Sequence, residues 1–340
     1  MGDGNKVQSM KLATFEVETK VGRKRRVGVK RDGTDEVVDV TAAYADALAD
    51  AGEDDAVTVA VAETHAPSDM LTFLQRGKRA LDAARKALEH AEDARADADE
   101  DRAPTGERLV FPLDADDVNL LPPLPRPNTL RDFMVFEEHV RNSMGGDPPD
   151  VWYDIPIYYK GNPNPDVTYG DGDDVPWPTY SEQRDYELEV AAVIGRKGRD
   201  IPAEEADEHI AGYTVYNDFS ARDKQLEEMQ GRLGPAKGKD FANSFGPYLV
   251  TADSFEVEDA RMTAEVNGET WSEGVVGEMY HSFADIVEYV SQNETLYPGD
   301  VLGSGTVGGG CGLELGKFLD DGDSIALTVE GIGTLENTVV

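Results

Sequence analysis

The sequence predicts an α+β protein whose larger, C-terminal part is dominated by β-strands. Two observations carry this prediction. An Ala-rich helical segment at 68–102 is followed by four prolines between residues 120 and 128, which neither a helix nor a central strand tolerates. Beyond the prolines, short β-branched and aromatic runs are bounded by Gly, Pro, Asn or Asp, at 186–195, 209–218, 244–253, 260–271 and 323–337.

The elements before the prolines predict a small domain with mixed structure. Residues 11–41 alternate apolar and polar side chains around an Asp32-Gly33 turn, which indicates antiparallel strands. The helix at 68–102 loses its apolar stripe beyond His90. We therefore predict a small N-terminal α/β domain at 1–119, a Pro-rich linker at 120–127 and a catalytic domain at 128–340. In the last part, helical spacing predicts helices at 129–142, 219–231 and 282–292.

The charge balance limits the classes of partner. The chain has 340 residues, with 68 acidic against 32 basic side chains and a net charge of −36, typical of a protein adapted to high salt. Such a surface repels nucleic acid and anionic membranes, so we expect neither as a partner. The single cysteine precludes an internal disulfide, and we find neither a signal peptide nor an apolar span, so we expect a cytoplasmic protein.

Two carboxylates inside an apolar run point to chemistry. Glu187 and Glu189 lie two positions apart in "DYELEVAAVIG", and side chains at that spacing share one face of a strand. Adjacent carboxylates repel unless one is protonated or a cation lies between them. The alternative is the exposed face of an edge strand, although the apolar run 190–194 makes the strand look central. The pair alone leaves both interpretations open.

Further polar residues accompany the pair. Asp218 ends a strand-like run where a helix begins, either as a functional group or as an ordinary N-cap. Arg222 and Gln225 follow it on one helical face, where a surface ion pair is the simpler interpretation. Asp132 and His139 lie seven residues apart, about two helical turns. The Gly-rich stretch 303–315 contains G-x-G-x-x-G, but no helix opens on its last glycine, so we reject a dinucleotide site.

Six stretches together resemble the fumarylacetoacetate hydrolase superfamily over about Arg126 to Asn337. They occur in the order of that family: "RDFMVFEEHV", "YDIPIYYKGN", "DYELEVAAVIG", "YNDFSARDKQ", "GPAKGKDFANSFGPYLV" and "YPGDVLGSGTVGGGCGLEL". The resemblance implies a catalytic domain built as a mixed β-sheet roll. Met134 departs from the family pattern, since the eponymous hydrolase has a tyrosine there, and this departure bears on the substrate.

The resemblance also implies a set of site residues. It places the metal ligands at Asp132, Glu187, Glu189 and Asp218. It places the general base at His139, its acidic partner at Glu314 and the substrate-polarising groups at Arg222, Gln225 and Lys239. Substrate contacts fall at Tyr159, Thr306 and Met134.

The implied chemistry is that of a metal-bound enolate. Four oxygen ligands favour Mg²⁺, with Mn²⁺ or Ca²⁺ possible, over Zn²⁺. We expect a hydrolase that cleaves a carbon–carbon bond in a 1,3-diketo or acylpyruvate-type acid, similar to fumarylacetoacetate or fumarylpyruvate, in aromatic catabolism. The same site would serve a decarboxylase of oxaloacetate-like acids, an isomerase of hydroxymuconate-type acids or a dehydratase of 2-keto-3-deoxy sugar acids. The family also implies a homodimer. A non-catalytic binding protein and an interaction module at 68–100 remain alternatives.

Overall fold

The computed structural model describes residues 10–94, 106 and 108–340. The predicted end of the Ala-rich helix, at 95–102, lies outside these residues. No helix within them is long and apolar enough to cross a membrane.

Helices and strands alternate irregularly along the described chain. The helices are α1 (Val40–Asp50), α2 (Asp55–His65), α3 (Met70–Arg76), α4 (Lys78–Ala94), α5 (Glu137–Met144), α6 (Asp150–Asp154), α7 (Arg222–Met229), α8 (Phe283–Ser291) and α9 (Gly312–Leu315). The first strands are β1 (Lys11–Thr19), β2 (Gly22–Lys30), β3 (Glu36–Asp39), β4 (Val110–Pro112), β5 (Val118–Leu121), β6 (Thr129–Phe133), β7 (Tyr158–Gly161), β8 (Thr168–Tyr169), β9 (Asp174–Val175) and β10 (Arg184–Asp185). The later strands are β11 (Leu188–Ile194), β12 (Gly198–Arg199), β13 (Ile210–Asn217), β14 (Ser220–Ala221), β15 (Asn243–Thr251), β16 (Arg261–Val266), β17 (Glu269–Val275), β18 (Thr295–Leu296), β19 (Asp300–Gly303), β20 (Ser324–Val329) and β21 (Gly333–Val339).

One large mixed sheet organises the molecule. Its strands run in the order β4-β3-β2-β1-β15-β13-β11-β19-β6-β7. Neighbours along this path are antiparallel except β19 and β6, which are parallel. A second sheet has the order β17-β16-β20-β21-β9. The predicted α+β class, rich in strands, is confirmed.

The N-terminal strands extend the sheet of the C-terminal part. Strand β1 pairs with β15 through Leu12 and Leu249. The hydroxyl of Thr14 also donates a 2.7 Å hydrogen bond to the carbonyl of Pro123, inside the Pro-rich segment. Strand pairing therefore crosses the predicted boundary at 120–127, and the division into two domains stays a prediction.

Strand β11 is buried on both faces. Its even-numbered residues, such as Val190 and Ala192, pack in the core shared with the second sheet. Its odd-numbered residues Ala191 and Val193 pack in the core formed with the N-terminal helices. A strand covered on both faces needs apolar side chains at every position, which explains the continuous run after Glu189.

Two predicted helices differ from the structure. The predicted helix at 129–142 is wrong at its start, because residues 129–133 form β6 between β19 and β7, and α5 begins only at Glu137. The Ala-rich helix is interrupted at Gly77, whose positive φ of 57° lies outside the helical region.

Candidate metal centre and catalytic dyad

The ends of neighbouring strands bring four carboxylates together. Asp132 lies in β6, Glu187 directly precedes β11, Glu189 is the second residue of β11, and Asp218 follows β13. The start of β11 meets the end of β13 because these strands are antiparallel. One oxygen from each carboxylate lies within 4.8 Å of the others, and all four residues are buried. The predicted shared face of Glu187 and Glu189 is therefore turned towards two further acids.

Three oxygens of this carboxylate cluster have no hydrogen-bond partner among the residues that the structure describes. They are Oδ1 of Asp132, Oε1 of Glu189 and Oδ1 of Asp218, each shielded from solvent. Burial, together with the neighbouring carboxylates, raises the pKa of Asp132 and of Glu189 well above the usual range. Buried anionic oxygens without donors fit a bound cation. An oxygen-only donor set fits Mg²⁺, Mn²⁺ or Ca²⁺.

Two buried cations neutralise the fourth carboxylate. Nζ of Lys239 donates to Oε2 of Glu187 at 2.6 Å and also to Asp218. Nη2 of Arg222 donates to Oε1 of Glu187 at 2.7 Å. Burial opposes the charge of Glu187, but Lys239 and Arg222 outweigh it and hold its pKa well below the usual range. Lys239 and Arg222 thus stabilise the charge of Glu187 even without a metal.

Strand β19 lies between the strands that carry these acids, and its last residue must be small. A Cβ on Gly303 would lie 2.6 Å from Oδ1 of Asp132 and 2.9 Å from the ring of Tyr216. The next glycine, Gly305, has a positive φ of 79° and donates its amide to Oε2 of Glu189 at 3.0 Å. The Gly-rich stretch therefore lets the backbone approach the carboxylate cluster closely.

A histidine and a glutamate form a dyad beside the cluster. Nδ1 of His139 lies 2.6 Å from Oε1 of Glu314. Oε2 of Glu314 accepts hydrogen bonds from Asn142 and from the amide of Gly309, both at 2.8 Å. Burial opposes the charge of Glu314, yet these bonds lower its pKa. An ionised Glu314 can only accept, so the proton of neutral His139 lies on Nδ1 and Nε2 is free to accept one.

The elements that carry the His139–Glu314 dyad differ from the predicted ones. A continuous helix that would carry Asp132 and His139 on one face is wrong, since Asp132 lies in a strand and His139 in α5. Instead, helix α9 brings Glu314 to His139, and an isolated β-bridge between Glu187 and Cys311 fixes the start of α9 beside the carboxylate cluster.

Asp185 is a site residue that the sequence analysis missed. It is fully buried and accepts hydrogen bonds from Nε of Arg222 at 2.6 Å and from the amides of Gly312 and Leu313 at 2.7 and 3.0 Å. Asp185 thus ties Arg222 to the first turn of α9, which carries Glu314. Its position two residues before Glu187, on the same strand face, is the signal that would have found it.

The remaining predicted residues lie around this centre. The hydroxyl of Tyr159 donates to Oδ2 of Asp218 at 2.6 Å, and Oε1 of Gln225 accepts from Nη1 of Arg222 at 2.9 Å. The hydroxyl of Thr306 is buried without a hydrogen-bond partner among the described residues. Met134 follows β6 directly, and its backbone carbonyl accepts a 2.6 Å bond from Trp152. Their roles toward a substrate stay predictions.

Solved structures similar to this chain include three enzymes of named activity. A fumarylacetoacetate hydrolase of Exiguobacterium antarcticum is 26% identical with a TM-score of 0.67, over 96% of this chain and 99% of that chain. A 5-carboxymethyl-2-hydroxymuconate delta-isomerase of Mycobacterium smegmatis is 26% identical with a TM-score of 0.63, over 97% and 99%. A fumarylpyruvate hydrolase of Pseudomonas aeruginosa, in complex with Mn²⁺ and pyruvate, is 27% identical with a TM-score of 0.55, over 67% and 93%.

Sequence comparison gives the same relationship. An uncharacterized protein of Staphylococcus aureus is 30% identical over 333 residues, 96% of this chain and 98% of that protein. The family model described as fumarylacetoacetate (FAA) hydrolase C-terminal matches residues 128–340. The resemblance carried by the six sequence stretches is confirmed, and the chain belongs to the fumarylacetoacetate hydrolase family of enzymes.

Proposed function

We propose that the protein is a metal-dependent hydrolase that cleaves a carbon–carbon bond in an acylpyruvate-type or other 1,3-diketo acid. The observation that carries this proposal is the His139–Glu314 dyad beside the buried carboxylate cluster. The cluster alone would serve several reactions of 2-oxo acids, whereas hydrolysis also needs a base for water. Similarity to two hydrolases supports this choice.

His139 is the proposed general base. Its free Nε2 takes a proton from water, and the oxygen of that water forms a bond with a carbonyl carbon of the substrate. The carbon–carbon bond then breaks, its electrons remain with the departing 2-oxo acid, and the proton passes from His139 to the carbon that leaves. Glu314 holds the imidazole by Nδ1 and stabilises its charged form. Such a base typically contributes a factor of about 10²–10⁴ to the rate.

The carboxylate cluster is the proposed site for Mg²⁺, with Mn²⁺ or Ca²⁺ as substitutes. Bound there, the ion would supply positive charge to two oxygens of a 2-oxo acid. Lys239 has a third N–H beyond the two used on Glu187 and Asp218. The carbonyl of Gln225 accepts from Arg222, which leaves its amide group free to donate. Each donor directed at a developing oxyanion typically contributes about 3 kcal/mol.

An isomerase of hydroxymuconate-type acids is the second candidate. The similarity to a 5-carboxymethyl-2-hydroxymuconate delta-isomerase favours it. In that reaction His139 would move a proton within the substrate, and water would take no part. Turnover in ¹⁸O-labelled water separates the two candidates, because only hydrolysis places ¹⁸O in a product carboxylate.

The test is a substrate panel of acylpyruvates, hydroxymuconate-type acids, oxaloacetate and 2-keto-3-deoxy acids at high KCl. We expect the protein to hydrolyse acylpyruvates, EDTA to abolish this activity and Mg²⁺ to restore it. His139→Ala should lower the rate of hydrolysis by a factor of about 10²–10⁴. Glu204→Gln, which changes an exposed acid outside the cluster, is the matched control. Full activity in EDTA would contradict the metal assignment. No turnover of any substrate would favour a binding protein.

A further inference from the structure

The only thiol of the chain lies beside the His139–Glu314 dyad. Cys311 is buried, and its Sγ lies 3.4 Å from Oε1 of Glu314. The same oxygen lies 2.6 Å from Nδ1 of His139. One nitrogen, one sulfur and one oxygen atom of these residues all lie within 4.8 Å of one another. Neither the family resemblance nor the proposed hydrolysis gives Cys311 a role.

These three donors differ in kind from the carboxylate cluster. Imidazole nitrogen, thiolate sulfur and carboxylate oxygen are the protein ligands of Zn²⁺, and a fourth position for water makes a tetrahedral site. A thiolate and a carboxylate balance the two charges of the ion. Burial keeps Cys311 protonated in the absence of metal by raising its pKa, and a bound cation displaces that proton to solvent.

We propose that His139, Cys311 and Glu314 form a second metal site, which takes a thiophilic divalent cation such as Zn²⁺. Ligand atoms around tetrahedral zinc lie about 3.3–3.8 Å apart, given bonds of about 2.0–2.3 Å. The sulfur–oxygen separation of 3.4 Å already meets this requirement. The ion takes the place of the hydrogen bond between His139 and Glu314, whose atoms separate by less than about 1 Å to admit it.

The rest of Glu314 stays in place when the ion binds. Its other oxygen keeps the hydrogen bonds from Asn142 and the amide of Gly309. Cys311 is the N-cap of α9, and Glu314 lies in the same helix. The site therefore needs movement of one imidazole, and its other two ligands belong to one short, anchored segment.

Occupancy of this site has a functional consequence, which rests on the proposed hydrolase. Nδ1 of His139 cannot bind the ion while it carries the proton that Glu314 now accepts. The imidazole must change tautomer, and its proton then blocks the Nε2 that would take a proton from water. Zn²⁺ bound at the dyad thus inhibits hydrolysis, whereas Mg²⁺ bound at the carboxylate cluster supports it.

Cobalt absorption tests the site without reference to activity. Untagged protein saturated with Mg²⁺ is titrated with Co²⁺, whose bond to thiolate gives a charge-transfer band in the near ultraviolet. Since Cys311 is the only cysteine, a band can come from this residue alone. We expect the band in wild type and in Asp132→Asn, its loss in Cys311→Ser and Cys311→Ala, and its displacement by Zn²⁺. Circular dichroism checks that each variant is folded.

Cobalt that binds wild type without this band overturns the proposal, because the ion then occupies only oxygen ligands. This readout stands even if the chain hydrolyses none of the substrates, so the two failures are distinguishable. If the protein hydrolyses a substrate, inhibition by Zn²⁺ can be measured at saturating Mg²⁺, with each protein compared with its own uninhibited rate. The Zn²⁺ concentration for half inhibition should be at least about tenfold higher in Cys311→Ser than in wild type. Equal values in both proteins overturn the inhibitory role.

Discussion

Removing one acid from the carboxylate cluster should raise the stability of the metal-free protein. The same change should abolish the stabilisation that Mg²⁺ gives to wild type. Asp132→Asn is the change. The ligand oxygens of the cluster lie within 4.8 Å of one another, and two ionised carboxylates at that distance repel by about 3.5 kcal/mol at an effective dielectric constant of about 20. An unfolding entropy of about 2.1 cal/mol/K per residue gives about 0.7 kcal/mol/K for 340 residues. Removal of one such repulsion in Asp132→Asn therefore raises the Tm of the metal-free protein by up to about 5 °C.

The gain in stability of Asp132→Asn over wild type should increase with pH. Burial and the neighbouring acids raise the pKa of Asp132 in the folded state. The contribution of Asp132 to stability is thus fully present below the ordinary carboxyl pKa and is lost as pH rises through the raised value. The advantage of Asp132→Asn should grow from acid to neutral pH. Mg²⁺ at about 100 times its dissociation constant should then add about 2.7 kcal/mol, or about 4 °C, to wild type alone.

Scanning calorimetry of EDTA-treated protein, with and without Mg²⁺, measures both effects. Ionic strength must be held constant with KCl, since an acid-rich surface responds to salt itself. Glu204→Gln should follow wild type. A metal-free Asp132→Asn that melts below metal-free wild type, or that gains as much from Mg²⁺, would refute the reasoning.

Three further substitutions test other parts of the site. Gly303→Ala places its Cβ 2.6 Å from Oδ1 of Asp132, so titration calorimetry should show Mg²⁺ affinity at least about fivefold weaker. Gly146→Ala, whose Cβ meets no atom within 4 Å, is its control. His139→Ala should lower kcat of hydrolysis by about 10²–10⁴ without changing Mg²⁺ affinity. Asp185→Asn leaves buried donors unpaired, because an amide has one acceptor oxygen, and urea unfolding should show a loss of about 3 kcal/mol.

Each expectation has a result that contradicts it. Equal Mg²⁺ affinities in Gly303→Ala and Gly146→Ala would mean that the backbone moves away from Asp132 without cost. Wild-type kcat in His139→Ala would remove this residue as the base. Burial raises the pKa of Asp185 despite Arg222, so an undiminished stability in Asp185→Asn would mean that desolvation offsets all of its hydrogen bonds.

The strands of the C-terminal part were predictable because their signals are local. The run 186–195 became β11 with boundaries shifted by one or two residues, and the later runs became β13, β15, β16 and β17, and β20 and β21. The alternation of side chains also predicted that Glu187 and Glu189 share a face. No knowledge of the partner strands was needed for either prediction.

The start of the segment 129–142 was mispredicted because its apolar residues have the spacing of a helix. Leu130, Phe133 and Met134 have helical spacing, but β19 and β7 pair with residues 129–133 from both sides. Those partners lie elsewhere in the sequence, and their hydrogen bonds outweigh a weak local preference.

The sequence by itself determined which residues carry charge, which strand face holds two glutamates and, through six stretches in order, which family the chain belongs to. Only the tertiary structure decided that Lys239 neutralises Glu187, that Asp185 joins Arg222 to α9 and that Cys311 lies against the dyad. The physical reason is sequence separation. Cys311 and His139 stand far apart along the chain, and the order of strands in the large sheet, a property of no local segment, brings their elements together.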